Sequence, residues 1–151
     1  MNALSFLEEI TRALKKVRLE AVLIGMAAGA LQGADVTTRD FDFLIRPTKA
    51  NETKLRLLAA ELHGYLSQPY EGVSTMQRVT RAPYLQIDLL THMHAVRSFE
   101  GLKRRATRMR SGLLVADIDD IIRSKRAADR PKDRAAMPAL EAARARIKNK
   151  T

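Results

Sequence analysis

Two aspartates separated by one residue, Asp40 and Asp42, stand inside an apolar stretch of the chain. In a β-strand successive side chains point to opposite faces, so these two carboxylates project the same way with Cα atoms about 6.5 Å apart. Like charges about 4 Å apart repel by roughly 4 kcal/mol at an effective dielectric near 20. The pair therefore favours a bound cation, and a hard divalent metal suits it. The alternative is a solvated strand end with two ordinary acids.

A third carboxylate, Asp88, lies inside a later apolar run, Leu85 to Leu90. An isolated acid flanked by Ile and Leu is costly to bury unless it is paired or coordinated. We therefore expect Asp88 to join Asp40 and Asp42.

Periodicity and turn signals predict the elements that position these acids. Before the acidic strand we expect a helix over 3–17 with Ser5 and Glu8 as a capping box, a strand over 21–24 and a helix to Gly33. Gly25, Gly29 and Gly33 share one face of that helix and predict close approach to a sheet. The later elements are a strand over 40–46, a helix capped by Asn51 to about 66, strands over 72–81 and 84–90, a strand or irregular basic segment over 103–115, and helices over 117–128 and 131–147.

This order predicts an α/β protein with a mixed β-sheet, flanking helices and C-terminal helices. A chain of 151 residues fits a single domain over 1–151, with a core over about 18–115 and a helical part over about 116–147. There is no cysteine, the amino terminus lacks a signal-peptide core, and the longest apolar run, 21–31, is shorter than the ~20 residues of a membrane span. We expect a cytoplasmic protein that does not enter a membrane.

The net charge of +10 is concentrated in the last third of the chain. Residues 97–151 contain 16 Lys and Arg against 7 Asp and Glu, whereas residues 1–96 contain 11 against 10. Such a surplus attracts polyanions such as a nucleoside triphosphate, RNA, DNA or an acidic protein. Solvated helix faces are the alternative explanation. Only 5% of residues are aromatic, so phosphate attraction is better supported than stacking on bases.

Several motifs together resemble the nucleotidyltransferase superfold, the polymerase-beta-like enzymes, and within it the small bacterial members related to type IV abortive-infection toxins. The matching residues span about 20–140. They are Ile24-Gly25-Met26, Thr38-Arg39-Asp40-Phe41-Asp42, the later Asp88, and the basic segments Ile122-Arg123-Ser124-Lys125 and Ala128-Asp129-Arg130-Pro131-Lys132-Asp133. Met26 departs from the pattern, because the family has Gly or Ser there, and Val36 stands where the family often has Arg.

The resemblance implies a transfer of a nucleoside monophosphate from an NTP to an acceptor hydroxyl, with Asp40, Asp42 and Asp88 as catalytic residues and ligands of Mg²⁺. Two ions are expected, with Mn²⁺ as a substitute. The implied nucleotide-binding residues are Gly25, Met26, Thr38, Arg39, Lys125, Arg130, Lys132 and Asp133. Asp133 is expected to orient Lys125 or Lys132, or else to serve as an ordinary acid in a first helical turn.

The acceptor is left open between RNA such as a tRNA end, a protein and a small molecule, because the fold does not determine it. One alternative is a degenerate, non-catalytic module that binds nucleic acid or a partner protein, which Met26 favours. Another is a toxin–antitoxin component that associates with a cognate protein. His92 and His94 are expected to be solvated loop residues rather than metal ligands.

Overall fold

A seven-stranded mixed sheet forms the centre of the computed structural model, which describes residues 3–70 and 75–150. The strands are β1 (Val22–Ile24), β2 (Asp40–Leu44), β3 (Tyr65–Ser67), β4 (Met76–Arg81), β5 (Leu85–Leu90), β6 (Thr107–Arg108) and β7 (Leu114–Val115). Their spatial order is β3-β4-β5-β2-β1-β7-β6. Strands β2 and β5 run parallel, as do β1 and β7, and the other neighbours are antiparallel. The acidic strand β2 is therefore the middle strand.

Six helices flank this sheet within the described residues. They are α1 (Ala3–Lys16), α2 (Gly25–Leu31), α3 (Lys49–Glu61), α4 (Phe99–Arg105), α5 (Ile118–Ala128) and α6 (Pro131–Asn149). Helix α2 contacts β2 and α5, and α5 packs along α6. The two C-terminal helices therefore reach the middle of the sheet through α2.

Fully buried apolar side chains from the strands and helices form one core. Phe43 on β2 and Ile87 and Leu89 on β5 are buried on the strands that carry the acids. Burial on both faces of β5 costs a charged residue much of its hydration. The core therefore fixes the backbone of the acidic strands, and burial makes the charged form of their carboxylates energetically unfavourable.

The predicted α/β class, with a mixed sheet and C-terminal helices, is confirmed. The strand predicted over 72–81 occupies 76–81, and residues 72–74 of that prediction lie outside the described residues. No helix within 3–70 and 75–150 combines the length and apolar content that crossing a membrane requires.

Two predicted helix caps are wrong. The helix after Pro47 is capped by Thr48, whose side chain accepts from the backbone N–H of Asn51 at 3.2 Å. Asn51 is instead buried and donates to the carbonyl of Arg46 at 2.9 Å. Ser5 lies inside α1 and does not cap it, because the helix is already formed at Ala3.

Three other local expectations also change. The helix predicted to residue 66 ends at Glu61, and the short strand β3 follows it. The segment predicted over 103–115 as a strand or irregular contains the end of α4, capped by Ser98, and two short strands. Gly29 approaches a helix rather than the sheet, because a Cβ there would lie 2.7 Å from Leu140 on α6.

Candidate active site

Three carboxylates converge on one face of the sheet, at neighbouring positions of β2 and β5. The parallel register pairs Asp42 with Asp88, and Asp40 lies two residues earlier on β2, paired with Gln86. Asp40 is exposed, Asp42 is half-buried and Asp88 is 7% exposed. All three line a cavity of about 610 Å³. We call Asp40, Asp42 and Asp88 the acidic group.

The backbone turns at Gly25, directly beside the acidic group. Strand β1 ends at Ile24, which pairs with Asp42, and the chain turns at Gly25 with φ of +69°. A Cβ at this position would lie 2.8 Å from Asp42 Oδ2. Glycine is therefore required here both by the left-handed backbone and by the carboxylate beside it.

Asp42 bears an uncompensated charge. Burial, followed by the neighbouring charges of Asp88 and Asp40, raises its pKa to about 6, while Lys125 and Lys132 oppose the shift. Among the described residues, neither Asp40 nor Asp42 forms an ion pair. Positive charge added beside this carboxylate would therefore stabilise its charged form.

Asp88, by contrast, is paired with Arg78 on β4. The two residues are directly opposite in the β4–β5 register. Arg78 donates from Nε to Asp88 Oδ1 at 2.7 Å and from its terminal nitrogen to Oδ2 at 3.1 Å. Hydrogen bonding to Asp88 raises the pKa of Arg78 above its already high usual value. The fork geometry makes this a strong, charge-assisted contact.

A basic wall faces the acidic group from the C-terminal helices. We use this name for Lys125 on α5 and for Arg130 and Lys132 at the start of α6, all of which line the cavity. Lys132 is exposed and forms no ion pair within the described residues. The cavity therefore has carboxylates on one side and cationic groups on the other.

Asp133 holds the basic wall in place without lining the cavity. It is 1% exposed and accepts from Arg130 Nε at 2.7 Å, from the Arg130 backbone N–H at 3.1 Å and from Lys125 Nζ at 3.2 Å. Burial by itself would raise the pKa of Asp133, but these hydrogen bonds outweigh it and hold the pKa at about 2. Asp133 thus orients Lys125 and Arg130, and within the described residues its side chain forms no ion pair with Lys132.

The other predicted nucleotide-binding residues divide between the cavity and the opposite face. Gly25, Met26 and Thr38 line the cavity. The Thr38 hydroxyl accepts from the backbone N–H of Asp40 at 3.2 Å and so steadies the start of β2. Arg39 lies outside the cavity, with its guanidinium 5.9 Å from the centre of the Tyr84 ring. Strand alternation is the reason, since residues adjacent to Asp40 and Asp42 face away from them.

Sequence reasoning missed Arg78, which is the largest change to the site. The predicted strands 72–81 and 84–90, joined by a two-residue turn, would pair residue 78 with 87, whereas the observed register has three residues between the strands and pairs Arg78 with Asp88. His92 and His94 are exposed, as expected of loop residues, but both line the cavity, with ring centres 5.5 Å apart. Tyr70 and Ser124 also line it and were not singled out.

The donor set fits a divalent cation at Asp40 and Asp42 better than at Asp88. The first two offer unpaired carboxylate oxygens, which Mg²⁺ prefers. Both oxygens of Asp88 already accept from Arg78. Within 3–70 and 75–150, no group of three or more His, Asp or Glu side chains is arranged so that it could hold a metal ion.

Comparison with known proteins identifies the fold. No family model matches the chain, and no curated protein matches it significantly. Among solved structures, the solution structure of the antibiotic-resistance factor ANT(2'')-Ia, an aminoglycoside nucleotidyltransferase, is similar over 97% of this chain and 91% of that one, with a TM-score of 0.61 and 12% identity. The protein has a nucleotidyltransferase fold, which confirms the fold expected from the motifs.

Replacing Asp42 with Asn should stabilise the protein above pH 6. The pKa of about 6 in the folded state exceeds the ordinary 3.8, so the folded state loses stability as pH rises from about 4 to 6. Asn removes that penalty, on the order of 1–2 kcal/mol after allowance for partial exposure. Urea unfolding at pH 4 and pH 8 should show the gain at pH 8 alone. Asp35→Asn, at an exposed position, is the matched control. An equal gain at both pH values would contradict the assignment.

Replacing Asp133 with Asn should destabilise the protein at neutral pH by roughly 2 kcal/mol. The folded-state pKa of about 2 lies below the ordinary 3.8, so this stability is present above pH 4 and is lost as pH falls toward 2. Unfolding free energies of wild type and variant should therefore converge at low pH. Glu141→Gln removes an exposed partner of Arg126 and should cost little. A pH-independent difference would show that Asp133 acts through packing alone.

Proposed function

We propose that this protein is a nucleotidyltransferase that moves a nucleoside monophosphate from an NTP to an acceptor hydroxyl. The observation that supports this most is the pairing, in one cavity, of the acidic group with the basic wall. A metal–nucleotide complex has the complementary charges, a cation beside a polyphosphate. The volume of about 610 Å³ falls in the range of small-molecule sites.

The acidic residues of the cavity would bind the metal ion, and its basic residues would bind the triphosphate. Asp40 and Asp42 would hold Mg²⁺, or Mn²⁺ in its place, and such an ion supplies positive charge to the entering and leaving oxygens of the transfer. Lys125, Arg130 and Lys132 would bind the triphosphate, with Asp133 positioning the first two. Thr38, Gly25 and Met26 shape the wall between these groups.

The proposed reaction is an in-line displacement at the α-phosphorus. The acceptor oxygen forms a bond to that phosphorus, and the bond from phosphorus to the bridging oxygen breaks, so that pyrophosphate leaves. The acceptor hydroxyl loses its proton, which Asp88, beside Asp42 on the neighbouring strand, would receive on an oxygen lone pair that the two Arg78 contacts leave free. Positive charge from the basic wall stabilises the departing pyrophosphate.

We propose a nucleic acid acceptor, beginning with a tRNA end. Besides the basic wall, the chain exposes Arg104, Arg108 and Arg110, which form no ion pair within the described residues. An RNA backbone would be attracted to such a surface. The structural neighbour is named for aminoglycosides, so a small polar acceptor is the comparison to include. A toxin–antitoxin role stays a prediction.

A second candidate is a non-catalytic binding module with the same fold. Two features favour it: Arg78 engages both oxygens of Asp88, and Met26 replaces the small residue of related motifs beside the cavity. In this case the basic surface would hold nucleic acid or a partner protein without transfer.

Nucleotide binding separates these candidates. Isothermal titration of each NTP with Mg²⁺ should show metal-dependent binding to wild type, and an Asp40→Ala/Asp42→Ala double variant should lose it because the cation has no ligands. Asp35→Ala, which removes an exposed acid outside the cavity, should bind like wild type. The NTP that binds would then be used, labelled at the α-phosphate, with tRNA and with an aminoglycoside. Absence of binding by every NTP would favour the non-catalytic module.

Replacing Lys132 with Ala should weaken binding of the Mg²⁺–NTP complex about tenfold, the size expected for one lost charge-assisted contact of roughly 1.5 kcal/mol. Arg134→Ala is the matched control, because Arg134 is exposed on the same helix, pairs with Asp129 and does not line the cavity. Titration at low and moderate salt should show the difference shrinking as ionic strength rises. Equal affinities for the two variants would remove Lys132 from the triphosphate site.

A further inference from the structure

Arg78 is paired with Asp88, one of the three acids to which the motif resemblance assigns two metal ions. We infer that this site takes one divalent cation, at Asp40 and Asp42, and that the Arg78 guanidinium supplies the second positive charge. The inference rests on the proposed function and deepens it, because it assigns a charge that the acidic group requires to a residue of the chain itself.

The backbone of two neighbouring strands fixes the geometry of the Arg78–Asp88 pair. Arg78 and Asp88 are cross-strand partners, so their approach is set by the β4–β5 backbone and not by flexible side chains meeting in solvent. Both contacts are at hydrogen-bonding distance, 2.7 and 3.1 Å, and use both carboxylate oxygens. The side chains are 24% and 10% exposed. A partly buried, bidentate pair of this kind resists displacement by a hydrated cation.

The other two acids differ from Asp88. Within residues 3–70 and 75–150, Asp40 and Asp42 form no ion pair, whereas Asp88 forms one with Arg78. Asp42 is the direct neighbour of Asp88 across β2 and β5. The negative charge of the acidic group is therefore already reduced on the Asp88 side, and a cation is favoured on the Asp40 and Asp42 side.

Arg78 keeps hydrogen-bond donors beyond those that Asp88 uses. A guanidinium has five N–H donors in a fixed plane; two of them are used by Asp88, and Tyr70 is a further hydrogen-bond partner of Arg78. Arg78 itself lines the cavity. The remaining donors can contact a phosphate or acceptor oxygen, and the fixed positive charge repels a second metal ion at the same position.

Counting bound Mn²⁺ tests the inference without relying on activity. Electron paramagnetic resonance of free Mn²⁺, titrated against the full chain, should give one ion for wild type and none for Asp40→Ala/Asp42→Ala. Arg78→Gln should admit a second ion, and Arg78→Gln/Asp88→Asn should return the count to one. The matched control is Arg81→Gln, on the same strand, which loses an equivalent two-pronged pair with Glu9 outside the cavity and should keep one ion.

Asp88→Asn alone keeps the inference testable if Arg78→Gln does not fold. Wild-type stoichiometry in Asp88→Asn supports it, since Asp88 is then no metal ligand. Two ions in wild type, loss of an ion in Asp88→Asn, or a single ion in folded Arg78→Gln would each overturn the inference and leave the proposed function standing. No ion in any variant would overturn the proposed metal-dependent function and this inference with it.

Discussion

The negative charge gathered at the middle of the sheet is the constraint around which the rest of the site is arranged. Asp42 is half-buried on the central strand, with Asp88 beside it on β5 and Asp40 two residues away. The pKa of Asp42, raised to about 6 by burial and by those two charges, measures how unfavourable this arrangement is for the protein by itself. Such a group lowers the stability of the fold, and its charge is available to a ligand.

Two sets of cations offset this charge in different ways. Arg78 donates hydrogen bonds directly to Asp88, so both oxygens of this carboxylate already have a partner. The basic wall lines the same cavity, and the buried carboxylate of Asp133 accepts hydrogen bonds from its members Arg130 and Lys125. Only the positive charges that have no acid partner, such as that of Lys132, remain fully available to a polyphosphate.

The sequence predicted much of this arrangement, and its errors have physical causes. The acidic strand and the third acid are predicted because apolar residues flank the aspartates, and the helices over 117–128 and 131–147 because Asp117 and Pro131 are residues that begin helices. Helix α4 and strand β3 were missed because they are short and half-exposed, so neighbouring segments stabilise them more than their own pattern does. Arg39 was placed in the site by its motif, although strand alternation turns it away.

By itself the sequence determined the α/β class and the shared face of Asp40 and Asp42, since these depend on local periodicity. The tertiary structure decided which charges meet. The β4–β5 register places Arg78 opposite Asp88, and the packing of α5 along α6 brings Lys125 within hydrogen-bonding distance of Asp133. Those pairings join residues 10 and 8 positions apart through turns and packing, and no local pattern encodes which of several nearby cations will reach a given carboxylate.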